Sequence, residues 1–163
     1  GGAIVLKVAL NLPGKVASLA LIGSAGLGAD INDSYLAGFI SAERRKDLKP
    51  HVEKQFSDPA LVTRQLINDL LAFKRIDGVQ KSLETINAAF APGGSQALVL
   101  RDRISDLTVP VLAIWGAGDQ IVPANHSEGL LANVRVALMA GQGHMVQMEA
   151  ASDVTRLIDE LIG

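Results

Sequence analysis

Three short apolar runs each lead straight into a glycine-bearing loop: Val16 to Ile22 (VASLALI), Val109 to Trp115 (VPVLAIW) and Val134 to Met139 (VRVALM). Runs of this length, rich in Val, Ile and Leu, suit strands of a parallel sheet covered on both faces. Between the first and second lies a long stretch whose apolar residues recur at helical spacing. The resulting order is helix, strand, helical insertion, strand, strand, helix, which predicts a parallel α/β sheet with flanking helices. Ligands of open α/β sheets bind outside the carboxyl ends of the strands. A helical block inserted at that edge is therefore expected to form a lid.

The remaining boundaries follow from local signals. Ala3 to Leu10 (AIVLKVAL) is apolar almost throughout, and periodicity alone does not separate buried helix from strand. Its Gly1-Gly2 start and the stop signal Asn11-Leu12-Pro13-Gly14 favour a short buried helix. Signals from Asp30 to Phe90 are helical. Ser57-Asp58-Pro59 reads as a helix start. Beyond it, Val62, Leu66 and Leu70 align with Ile67 and Leu71. Asp77-Gly78 interrupts, a helix restarts over 79–90, and Pro92-Gly93-Gly94 closes the block. A short helix precedes the second strand, and a last helix over about 149–162 gathers Val154, Leu157, Ile158 and Leu161 on one face. The chain thus divides into a core segment, 1–29, a helical lid, 30–95, and a second core segment, 96–163.

Composition narrows the function classes. The 163 residues carry a formal net charge of −2 and no basic block, which argues against nucleic acid and anionic membranes as partners. The absence of cysteine excludes disulfides, thiolate metal sites and Cys nucleophiles within the chain, and fits a cytoplasmic location. No apolar run reaches the ~18 residues needed to span a bilayer. No metal site is expected.

Two residues carry the chemistry. Asp119 follows the second strand in WGAGDQIVP, where a carboxylate can orient an imidazole and stabilise its cation. The alternative is an Asp that caps the backbone of a Gly-rich turn. His144 follows the third strand in GQGH and is a candidate general base; the alternative is a loop histidine with no catalytic part. Both follow consecutive strands at the same sheet edge, acid first. Gly1-Gly2-Ala3 matches the back half of a G-x-S-x-G nucleophile elbow, which would place the nucleophile two residues ahead of Gly1. The alternative there is a helix that merely begins with two glycines. His126 and His51 are expected on the surface. Ser24, in GSAGLG, lacks the flanking glycine of an elbow, and that loop lacks dinucleotide spacing and a P-loop lysine. Glu43-Arg44-Arg45-Lys46 reads as a solvated helix face, and Met145 and Met148 as core or pocket lining.

Together these segments resemble the C-terminal part of an α/β-hydrolase. The resemblance rests on GGAIVLKVALNLPGKVASLALIGSAGLG, VPVLAIWGAGDQIVP and GQGHMVQMEAASDVTRLIDELI. INDSYLAGFISAERRKDLKP and DPALVTRQLINDLLAFKRIDGVQKSL are similar to the lid of one subgroup, the acetyltransferase component of bacterial acetoin dehydrogenase complexes. The resemblance implies Asp119 as triad acid, His144 as triad base, and Gly1 and Gly2 as the end of the elbow. It also implies a lipoyl group on a separate upstream domain, no cofactor held by this segment, and partners among the subunits of a 2-oxo acid dehydrogenase-type complex. Acetyl transfer involving a lipoyl thioester is the expected activity of the intact protein. A carboxylic-ester or C–C bond hydrolase and a non-catalytic interaction domain are the alternatives. The chain alone is expected to be inactive, and the strand Val16 to Ile22 is expected to invite self-association.

Overall fold

The computed structural model describes residues 1–130 and 133–163. Among the described residues, three parallel strands form one sheet in the order β1 (Leu19–Ile22), β2 (Val111–Gly116), β3 (Val134–Met139). Leu19 stands opposite Val111, and Val111 opposite Val134, so the carboxyl ends of all three strands share one edge.

The central strand explains the apolar runs. Every residue of β2 is buried. One face of the sheet, with Leu21, Val111, Ala113 and Trp115, packs on Leu6 and Ala9 of helix α1 (Gly2–Asn11). The other, with Leu112 and Ile114, packs on Val146 of α6 (Val146–Glu149) and on Val154 and Leu157 of α7 (Ala151–Ile162). The buried Trp115 indole donates to Val122 O at 3.0 Å, fixing the chain that follows β2.

Between β1 and β2 lie α2 (Asp33–Ser41), α3 (Arg45–Glu53), α4 (Arg64–Lys74) and α5 (Val79–Phe90). They enclose an apolar core of their own, built on Leu48, Val52, Phe56, Ile67 and Leu71, against which Met145 packs. Asn32 caps α2 by accepting from Tyr35 N, and Thr63 caps α4 by accepting from Leu66 N. Asp58 instead caps a short 3-10 turn, Pro59–Leu61, so α4 begins later than Ser57-Asp58-Pro59 predicts. Lys74, buried at the end of α4, donates to the carbonyls of Phe39, Ile40 and Ala42 and closes the C-terminus of α2. Burial pulls its ammonium below the ordinary lysine pKa. None of the helices described is long and apolar enough to cross a membrane.

Candidate active site

The turn after β2 and the loop after β3 are stitched together by backbone bonds. Ala117 N donates to Met139 O at 2.9 Å and Gly118 N to Gln142 O at 2.9 Å. This brings Asp119 and His144 to the same point of the sheet edge. His144 Nδ1 lies 2.8 Å from Asp119 Oδ2, with the Asp119 side chain fully buried and that of His144 23% exposed. Asp119 Oδ1 accepts from Ile121 N at 2.8 Å and from Val122 N at 3.0 Å. One Asp119 oxygen therefore meets the His144 ring, and the other caps the backbone of the turn. With a carboxylate oxygen as its partner, Nδ1 carries the ring proton, and Nε2 is the atom left with a lone pair in the neutral ring.

The end of β1 completes this corner. Gly23 has φ +49, and a Cβ there would stand 3.1 Å from His144 Nδ1 and 3.3 Å from Asp119 Oδ2. A side chain at this position would both strain the backbone and press on the pair. All three strand ends thus converge on the Asp119–His144 contact.

The helical insertion reaches the same place through residues 55–57. Met145 N donates to Gln55 O at 2.9 Å. The Glu149 carboxylate accepts from Gly143 N at 2.6 Å and from Ser57 N at 2.7 Å. Gly143 permits this approach, since a Cβ there would lie 2.8 Å from Ser57 N. Gly23, Gln55, Ser57 and Glu149 are not marked as site residues by the sequence, in which Ser57 reads only as part of a helix start. Their roles depend on segments distant in the chain, and only the position of Glu149 soon after His144 gives a local hint.

The other sequence candidates are placed as follows. Gly2 packs against Ser24 so closely that a Cβ would fall 1.8 Å from Ser24 Oγ, whereas Gly1 faces open space. Ser24 is buried and its hydroxyl donates to Ala25 O. His126, expected on the surface, is buried with its ring over Gly28, because residues 124–127 fold under the loop after β1. His51, also expected on the surface, is half-buried with its ring against Gly38. Met145 joins the core of the insertion, while Met148 is exposed.

Residues 1–151 match the family model described as the alpha/beta hydrolase fold. The chain belongs to the α/β-hydrolase family. The chain is similar to the dihydrolipoyllysine-residue acetyltransferase component of the acetoin cleaving system from two bacteria. Identity to the Cupriavidus necator protein is 39% over 163 residues, covering 100% of this chain and 44% of that protein. Identity to the Pseudomonas putida protein is 48% over 157 residues, covering 96% and 41%. This α/β-hydrolase chain therefore spans less than half the length of these relatives. A more distant relative, the 2-hydroxy-6-oxo-6-phenylhexa-2,4-dienoate hydrolase of Burkholderia cepacia, is 27% identical and covers 96% of this chain and 58% of its own. Among solved structures, the meta-cleavage product hydrolase of Pseudomonas fluorescens shares the fold with a TM-score of 0.86 at 22% identity, covering 99% and 61%.

Proposed function

We propose that this α/β-hydrolase chain supplies the acid–base pair of an acyl-transfer site in the acetyltransferase component of an acetoin-cleaving system. The 2.8 Å contact between His144 Nδ1 and Asp119 Oδ2 carries the reading. The acetyltransferase relatives at 39% and 48% identity give it its acyl chemistry. In this reading Nε2 of His144 accepts the proton of an attacking hydroxyl or thiol as that atom bonds to the acyl carbon. Asp119 Oδ2 holds the ring in the competent tautomer and stabilises the imidazolium. The proton then passes from Nε2 to the departing sulfur of a lipoyl thioester, which leaves as a thiol. In this reading the attacking residue and the donors that stabilise the oxyanion belong to the intact protein, with Gly1 and Gly2 forming the end of the elbow. The insertion, residues 30–95, acts as the lid. The partners in this reading are the other subunits of a 2-oxo acid dehydrogenase-type complex in the cytoplasm, and the chain alone is inactive.

The test is acetyl transfer between acetyl-dihydrolipoamide and coenzyme A by the intact protein. His144→Ala and Asp119→Asn should each lower kcat, the latter by on the order of 10⁴. Undiminished transfer in both variants would sink the reading. The similarity to the 27% identical hydrolase favours a second reading, cleavage of an ester or of a C–C bond next to a carbonyl. Turnover of such substrates with no transfer to a thiol would select it. If neither substrate class is turned over while the complex still assembles, the chain acts as an interaction domain.

A further inference from the structure

We propose that Glu149 is a positioning residue that couples the orientation of His144 to residues 55–57 of the helical insertion. The inference rests on reading His144 as the base of the site. Gly143 and Met145 flank His144, and the backbone amide of each is tied to one short segment. Met145 N donates directly to Gln55 O at 2.9 Å. Gly143 N reaches that segment through the Glu149 carboxylate, whose other oxygen accepts from Ser57 N at 2.7 Å. Bonds of this kind to a carboxylate are charge-assisted and short, and hold their donors more firmly than neutral acceptors do.

Local geometry serves the same contact. The four residues of α6 turn the chain back so that Glu149 faces Gly143, and the backbone breaks at Ala150 (φ −134, ψ 47) before α7 begins. The missing Cβ of Gly143 lets Ser57 N come close. Asp119 fixes the ring of His144 from the sheet side, while Glu149 fixes its backbone from the insertion side. When residues 55–57 withdraw, Met145 N loses Gln55 O and the Glu149 carboxylate loses Ser57 N together, so the carboxylate that holds Gly143 N is no longer anchored and the ring no longer has a fixed stem. When they return, the ring is set against Asp119 again. The insertion thereby controls whether the base is aligned.

Nuclear magnetic resonance of the chain tests this without any turnover. In the unmodified chain, the amides of Gly143, Met145 and Ser57 should exchange with solvent through one common opening. In Glu149→Ala their exchange should quicken together by about tenfold or more. The nitrogen-15 signature of the Nδ1-protonated His144 ring should weaken in the same variant. Glu149→Gln keeps one oxygen acceptor and should fall between the two. Separate openings of Ser57 and Gly143 in the unmodified chain would overturn the proposal, and that measurement decides even if Glu149→Ala does not fold. An unchanged His144 ring signature in folded Glu149→Ala or Glu149→Gln would also overturn it, leaving Glu149 a staple between two segments. Failure of the acyl-transfer reading would appear instead as a lack of transfer by the intact protein with Glu149 in place.

Discussion

Changing Asp119 to Asn and to Ala in parallel separates the work of its two carboxylate oxygens. Asp119→Asn keeps an oxygen where Ile121 N and Val122 N donate at 2.8 and 3.0 Å. Those bonds lose their charge-assisted character, a cost of about 1–3 kcal/mol in all. The amide nitrogen then faces His144 Nδ1, so the ring must present a lone pair there and carry its proton on Nε2. Asp119→Ala removes both acceptors from a fully buried position. Two backbone donors left unsatisfied cost about 1–3 kcal/mol each, and loss of the His144 contact adds about 1–2 kcal/mol, for roughly 3–8 kcal/mol. Against a typical total of about 5–15 kcal/mol, that is a large share. Urea unfolding followed by fluorescence of the single tryptophan, Trp115, measures both. Nitrogen-15 spectra of His144 report the tautomer. An Ala variant no less stable than the Asn variant, or an Asn variant whose ring keeps its proton on Nδ1, would refute the division of roles.

Gly2→Ala should destabilise the chain by about 1–3 kcal/mol through overpacking, although Ala is the better helix former. The added Cβ would lie 1.8 Å from Ser24 Oγ, so adding Ser24→Gly should recover much of the loss in the same urea assay. Lys74→Met should loosen the C-terminus of α2 by roughly 2–4 kcal/mol, since it strips the donor from the carbonyls of Phe39, Ile40 and Ala42. Faster amide exchange confined to the insertion would register that change, and unaltered exchange there would contradict it. The single tyrosine, Tyr35, has its phenol pushed up to about 12, chiefly by burial and opposed by the hydrogen bond it accepts from Gln55 Nε2. Its proton is held more tightly in the folded chain, so its stabilising contribution is complete below pH 10 and is lost as pH rises toward about 12. Ultraviolet titration showing an ordinary tyrosine midpoint in the folded chain would count against this burial.

Much of the sheet was legible because strand runs and turn residues are local signals. The third strand and the helix over 79–90 have the predicted bounds. β1 begins at Leu19 rather than Val16, because its pairing starts where Leu19 N donates to Pro110 O, just ahead of β2. The last helix begins at Ala151 rather than at about Glu149, because Glu149 ends the short α6 and the backbone breaks at Ala150. Asp119 and His144 could be picked out because each follows a strand at the same edge, yet the dual use of the Asp119 oxygens has no sequence mark. His126 and Gly28 form a ring-on-backbone contact that neither residue announces, which is why a surface position was expected for His126.

The register of the sheet also bears on the order in which the chain assembles. Val111 pairs with Val134 across a short excursion, whereas Leu19 must find Val111 across the entire insertion, roughly a fourfold longer loop. Closing the longer loop costs about 1.2 kcal/mol more in chain entropy. Contacts of low sequence separation also tend to form sooner. The β2–β3 unit, with Asp119 and His144 at its carboxyl end, is therefore favoured to close first and to offer β1 a ready edge. Gly23 docks afterwards, onto an Asp119–His144 pair already in register.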